Sequence, residues 1–273
     1  MTLTTRRFEL SVTLLGKPTC PPLLLLHGFL GEASDWLGIA QQLASRYFVI
    51  IPDIPGHGAT RLLPQPSTPH STEPYSLESV AGTILELLAA LKQDRTYLCG
   101  YSMGGRLALY LALRHPTRFQ AACILSSTAG LRTDEERKVR CLHDEEIARK
   151  LETMPLPEFL EFWYSQALFT SFRQHPQFAQ ATMRRREMRT QEAAASLRGM
   201  GTGAQTPLWD ILSTNRVPIT FVAGERDAKF VALAQEMQVN TPFSSLAIIP
   251  NAGHVLHYEA GSSVQVLLEK IFT

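Results

Sequence analysis

Short apolar runs recur along the chain, separated by stretches with helical periodicity. Residues 23–26, 48–51, 96–99, 121–125, 218–223 and 246–249 are runs of the kind that form strands covered on both faces. Phe8, Leu10 and Val12 alternate with Glu9 and Ser11, which predicts a half-exposed antiparallel edge strand before a turn near Gly16-Lys17-Pro18. Between the runs lie helical patterns. One opens at Asp35 and Trp36 and runs to about Arg46. Another is N-capped by Ser76 and places Val80, Ile84, Leu87, Leu88 and Leu91 on one face. A third covers residues 107–113, and a last one carries Val264, Val266, Leu267, Leu268 and Ile271. This alternation predicts an α/β fold with a mostly parallel central sheet flanked by helices.

The alternation is broken once. From Gly130 onward, residues 131–200 are helical and charged and contain no strand-like run. The expected organisation is therefore a core in two parts, residues 1–128 and 206–273, with a helical lid inserted at 129–205. Phe162, Trp163, Tyr164, Phe169 and Phe172 exceed what a solvated helix needs; they either roof a pocket or pack the lid on the body. A second irregular stretch, residues 59–74, holds Pro64, Pro66, Pro69 and Pro74 and reads as a mobile loop over the strand ends.

Composition narrows the function classes. At 273 residues with 45% hydrophobic and 19% charged residues, a sizeable core is available and global disorder is excluded. A formal net charge of +1 gives no electrostatic case for nucleic acid or an anionic membrane. No apolar run approaches the ~20 residues of a spanning helix, and the N-terminal residues do not read as a signal-peptide core. Cys20, Cys99, Cys123 and Cys141 lack metal-ligand spacing and read as reduced thiols of a cytosolic protein. No metal or redox cofactor is expected, and a monomer or weak oligomer is.

The chemistry concentrates at Gly100-Tyr101-Ser102-Met103-Gly104-Gly105-Arg106, set between an apolar run and a helical pattern. Gly-x-Ser-x-Gly in that setting is a nucleophile elbow, whose sharp turn exposes the serine hydroxyl at the carboxyl end of a sheet. Asp227 and His254 each follow a predicted strand, so His254 would accept the proton of Ser102 and Asp227 would hold the imidazole. His257 is the rival base and Glu225 the rival acid. His27 and Asp53 sit at strand ends in Gly-rich turns and read as scaffold residues. The loop His27-Gly28-Phe29 can turn the Phe29 amide toward Ser102, where with the Met103 amide it forms a two-donor oxyanion hole. Arg106 lies one helical turn after Ser102, against the positive end of the helix dipole, so it reads as an anion-binding residue. The insertion adds Arg137, Arg140, Arg173, Arg184, Arg185, Arg186, Arg189 and Arg198. Arginines above a serine suit a small carboxylated ligand.

Leu26-His27-Gly28-Phe29-Leu30-Gly31, Asp53-Ile54-Pro55-Gly56-His57-Gly58, the elbow, Gly224-Glu225-Arg226-Asp227-Ala228-Lys229-Phe230 and Ala252-Gly253-His254 together resemble an α/β-hydrolase. Tyr-Ser-x-Gly-Gly-Arg with Gly-Glu-Arg-Asp-x-Lys-Phe is similar to one subgroup, the 2-succinyl-6-hydroxy-2,4-cyclohexadiene-1-carboxylate synthases of menaquinone and phylloquinone biosynthesis. The resemblance implies a lyase that removes a ring proton and expels pyruvate, with Ser102, His254 and Asp227 as catalytic residues. It also implies that Arg106, Arg140 and Arg185 bind substrate carboxylates and that Tyr101 and Trp163 contact substrate. Residues 255–260 depart from the Asn and Arg of that subgroup. The alternatives are a serine hydrolase of a carboxylated ester or carbon–carbon bond, and a ligand-binding receptor on the same fold.

Overall fold

In the computed structural model, which describes residues 1–64 and 72–272, nine strands form one sheet. They are β1 (Thr2–Thr4), β2 (Phe8–Leu15), β3 (Pro22–Leu26), β4 (Phe48–Pro52), β5 (Arg61–Leu62), β6 (Thr96–Tyr101), β7 (Phe119–Leu125), β8 (Ile219–Gly224) and β9 (Ser244–Ile249). Their order is β1-β2-β4-β3-β6-β7-β8-β9, with β5 paired to β2. From β4 to β9 along this path every pairing is parallel, whereas β2 runs antiparallel to β1, β4 and β5.

The order reverses direction between β3 and β6, where the chain after β3 goes one way and the chain after β6 the other. Such a switch point opens a crevice at the carboxyl ends of the two strands. The loops beginning at His27 and at Ser102 meet there.

Helices α1 (Leu37–Leu43), α2 (Leu77–Ala90) and α3 (Met103–Arg114) connect the first parallel strands. The Ser76 hydroxyl caps α2 by accepting the Ser79 amide at 3.2 Å, and Val80, Ile84, Leu87 and Leu88 on that helix are buried. The strands are covered on both sides, and alternation divides their side chains. Leu23, Leu25, Val49 and Ile51 enter one apolar cluster, Leu24, Leu26, Ile50 and Leu98 the other.

Between β7 and β8 the chain forms helices only: α4 (Asp134–Thr153), α5 (Leu156–Tyr164), α6 (Thr170–Arg173), α7 (Phe178–Arg184) and α8 (Thr190–Met200), with short 3-10 turns. A capping box between Thr133 and Glu136 starts α4. Both ends of the insertion are tied together: Leu208 N–H donates to the Ala129 carbonyl and the Trp209 indole N–H to that of Gly130, each at 2.8 Å. Phe159, Tyr164, Phe169 and Phe172 join the apolar cluster that also holds Leu23, Tyr101 and Leu256. The chain closes through α9 (Ala228–Val239), α10 (Leu256–Glu259) and α11 (Gly261–Ile271). None of the helices among the described residues is long and apolar enough to cross a membrane.

Two expectations change. The strand at Phe8 is not an edge, because the three residues of β1 pair outside it. Within the stretch expected to be a mobile loop, Arg61 and Leu62 are ordered against Glu9 and Phe8, while Pro66 and Pro69 lie outside the described residues.

Candidate active site

Ser102 occupies the turn between β6 and α3 at φ 51° and ψ −110°, a strained conformation for a residue with a side chain. Two neighbours make the turn possible. A Cβ on Gly100 would lie 2.1 Å from the Gly104 carbonyl oxygen, and one on Gly104 would lie 2.4 Å from that of Leu26. The turn is fixed from outside by the Ser102 amide, which donates to the Leu125 carbonyl at 2.9 Å, and by the Ser127 hydroxyl, which donates to the Ser102 carbonyl at 2.9 Å.

The loops after β8 and β9 bring the partners to it. The Arg226 amide donates to the Ala252 carbonyl at 2.9 Å and so joins the loop of Asp227 to that of His254. His254 Nδ1 lies 2.7 Å from an Asp227 carboxylate oxygen, and its Nε2 lies 3.4 Å from Ser102 Oγ. With the carboxylate on Nδ1–H, Nε2 is the nitrogen free to take the hydroxyl proton. The imidazole is nearly fully buried, between the rings of Phe230 and Tyr101. Glu259 braces its loop by accepting the Gly253 and Val255 amides at 2.8 and 2.9 Å.

The rivals have other work. His257 packs on Trp36 and Tyr101, and burial pushes its pKa down to about 3. Glu225 accepts the Asn251 amide at 2.8 Å. His27 bridges the Gly28 carbonyl and the Ile54 amide, and Asp53 accepts the Ala33 and Ala59 amides.

Ser102, Asp227 and His254 border a cavity of about 490 Å³, together with Phe29, Tyr101, Met103, Arg106, Arg140 and Trp163. Met103 is the first residue of α3, where a backbone N–H has no acceptor within its own helix. Trp163 comes from α5 and packs edge-on against Phe29, 5.3 Å between ring centres. Of the aromatics in the insertion, Trp163 and Phe169 face the cavity, whereas Phe159 and Phe172 are buried where the insertion packs on the body.

Three cations border the cavity. Arg106 is buried, and its guanidinium donates to Gln205 Oε1 at 3.1 Å. Burial, then the nearby charge of Arg140, lowers its pKa to about 10, against the opposing pull of Asp144. Arg140 is tied to Asp144 at 2.7 Å yet still reaches the cavity. Lys229 joins them from the first turn of α9. Among the described residues, no group of three or more His, Cys, Asp or Glu side chains could hold a metal ion.

Arg185 is the exception to the expected set. It does not border this cavity. Both its terminal nitrogens meet the Asp35 carboxylate, at 2.9 and 2.6 Å, in a fully buried pair. The carboxylate takes the charge that a ligand would have taken. Gln205, Ser127, Glu259 and Lys229 were not singled out as site residues. Only Lys229 carried a signal, as the lysine in Gly-Glu-Arg-Asp-Ala-Lys-Phe.

Comparison with known proteins agrees with this architecture. The profile of the alpha/beta hydrolase fold family matches residues 21–261. A 2-succinyl-6-hydroxy-2,4-cyclohexadiene-1-carboxylate synthase of Salmonella agona is 30% identical over 258 residues, covering 94% of this chain and 95% of the relative. The chloroplastic protein PHYLLO of Arabidopsis thaliana is 32% identical over 259 residues, 92% of this chain but only 15% of that much longer protein. The solved structure of MenH from S. aureus superposes with a TM-score of 0.86 at 26% identity, over 98% of this chain and 100% of the other. With the elbow, the ordered Ser, Asp and His, and a two-way match along nearly the whole length, the chain belongs to the α/β-hydrolase family and, within it, to the group of the 2-succinyl-6-hydroxy-2,4-cyclohexadiene-1-carboxylate synthases.

Proposed function

We propose that this chain is a carbon–oxygen lyase of menaquinone or phylloquinone biosynthesis. It eliminates pyruvate from 2-succinyl-5-enolpyruvyl-6-hydroxy-3-cyclohexene-1-carboxylate and leaves 2-succinyl-6-hydroxy-2,4-cyclohexadiene-1-carboxylate. The observation that carries the reading is Arg106, a buried cation one helical turn from Ser102 on the cavity wall and bonded to no carboxylate among the described residues. An apolar ester would gain nothing from such a residue, whereas a substrate with three carboxylates does.

The chemistry follows from the substrate's bonds. The ring proton beside the succinyl carbonyl is the acidic one. Its removal sends the electron pair into the ring, the double bond shifts by one position, and the carbon–oxygen bond to the enolpyruvyl group breaks. The leaving group departs as the enolate of pyruvate and is protonated on carbon. Ser102 serves as the base, relaying the proton to His254, whose charged form Asp227 stabilises. The Phe29 and Met103 amides stabilise negative charge on the succinyl carbonyl oxygen. Arg106 and Arg140 hold carboxylates, with Tyr101 and Trp163 against the ring. Residues 129–205 act as the lid that supplies Arg140 and Trp163.

The test is pyruvate release, coupled to lactate dehydrogenase, from the synthetic enolpyruvyl substrate. Turnover that is lost in Ser102→Ala is expected. A wild-type enzyme that leaves this substrate intact but forms an acyl-enzyme with carboxylated esters would replace the lyase with a hydrolase.

A further inference from the structure

Gln205 lies in the stretch where the helical insertion returns to the sheet, five residues beyond α8. Its side chain is buried, and its amide oxygen is the acceptor found for the Arg106 guanidinium among the described residues. We infer that Gln205 is a positioning residue, which aims Arg106 into the cavity while leaving its charge free for a substrate carboxylate. The inference rests on the reading of Arg106 as a carboxylate holder and extends it.

The comparison with three arginines of the insertion carries the argument. Arg185 is bound by Asp35, Arg140 by Asp144, and Arg198 by both Glu145 and Glu152. Each of those guanidiniums meets a carboxylate, which orients it and offsets its charge, fully in the buried Arg185 pair but only in part for Arg140, whose half-exposed side chain still borders the cavity. Arg106 is held by a neutral oxygen instead. An amide accepts one N–H as a carboxylate would, but brings no countercharge, so the field in the cavity stays positive.

The geometry leaves Gln205 little choice of orientation. A guanidinium offers only donors, so the amide oxygen must face it. The amide nitrogen is then turned elsewhere, and it is buried without a partner among the described residues. That orphaned N–H opposes the arrangement. Exchanging the two ends would set donor against donor. The backbone is held as well: the Gln205 amide donates to the Gly201 carbonyl at 3.1 Å, and Leu208 is tied to Ala129.

The experiment compares Gln205→Glu and Gln205→Met with wild type, reading kcat and KM for pyruvate release beside the thermal midpoint. In Gln205→Glu a carboxylate neutralises Arg106, so KM rises at least about tenfold while kcat stays near wild type. Its thermal midpoint holds or rises, because a buried cation has gained a partner. Gln205→Met loses the tether but not the charge, giving a smaller rise in KM with a lower midpoint. Affinity and stability thus move in opposite order across the two variants, which a purely structural residue would not produce. KM within about twofold of wild type in Gln205→Glu, or KM that simply follows the midpoint in both variants, overturns the inference while the lyase reading stands. A wild type that releases no pyruvate overturns the reading and the inference together.

Discussion

Asp35 and Arg185 form a bidentate pair, 2.9 and 2.6 Å across, between the segment after the Phe29 loop and the turn that follows α7 in the helical insertion. The Tyr258 hydroxyl donates to the same carboxylate at 2.7 Å. Burial alone would raise the Asp35 pKa, but the Arg185 charge and its hydrogen bonds outweigh that and hold it far below the usual carboxylate range. The pair fastens the helical insertion to the body.

Removing Asp35 leaves the Arg185 charge buried without its carboxylate. Asp35→Asn is expected to lower the unfolding free energy by about 3–5 kcal/mol, read from urea titration. The double variant Asp35→Leu with Arg185→Met should recover much of that loss. Single and double variants of equal stability would mean that the pair does not fasten the insertion.

Replacing Ser102 by Ala is expected to reduce kcat by about 10²–10⁴ with little change in KM, since the hydroxyl makes its contribution in proton transfer. Asp227→Asn should fall by about 10⁴, because an amide no longer holds the imidazole with Nε2 free. Stopped-flow measurement of pyruvate release separates these effects from binding.

The Arg106 charge has a pH limit within reach of assay. Its pKa is lowered to about 10, so kcat/KM should decline as pH rises through that value. In Arg106→Met the decline disappears and KM is raised by about tenfold or more at pH 8. An unchanged alkaline limb in that variant would assign the decline to another group.

Acid acts through a different set of residues. His57 and His257 are pushed down to about 3 by burial, from an ordinary value of 6.5. Between those limits the unfolded chain binds more protons than the folded one, so stability falls as pH drops from about 6.5 toward 3. His257→Phe should flatten the slope of unfolding free energy against pH in that window. A slope that persists undiminished would exclude His257 as a contributor.

Crowding at the elbow makes a further prediction. Gly100→Ala forces a methyl against the Gly104 carbonyl, 2.1 Å away, so β6 and α3 must separate. A loss of about 1–3 kcal/mol is expected with a steep fall in kcat. Gly82→Ala is the control, since among the described residues no heavy atom lies within 4 Å of its added carbon.

The sheet and the meeting of Ser102, Asp227 and His254 were legible because each is written locally. Apolar runs of strand length, a Gly-x-Ser-x-Gly turn, and an acid and a base each just past a run need no knowledge of distant contacts. The fate of the insertion's arginines was not legible. Arg184, Arg185 and Arg186 are adjacent, and which of them turns inward depends on Asp35, 150 residues earlier. Gln205 escaped notice for the same reason: its meaning lies in Arg106, 99 residues away. The edge assignment of Phe8–Leu15 failed on β1, three residues with too little pattern to read.

The two joints at Ala129 with Leu208 and Gly130 with Trp209 set both feet of the insertion side by side. A cassette mounted on adjacent feet leaves the strand order beneath it uninterrupted, but any replacement must bring its own cation for Asp35 and its own apolar side chains for the cluster that Phe159 and Phe172 complete. Chimaeras joined at those two points with such a replacement should keep the proton chemistry and the Arg106 anion site of the floor, and change only the contacts that Arg140 and Trp163 make from the roof.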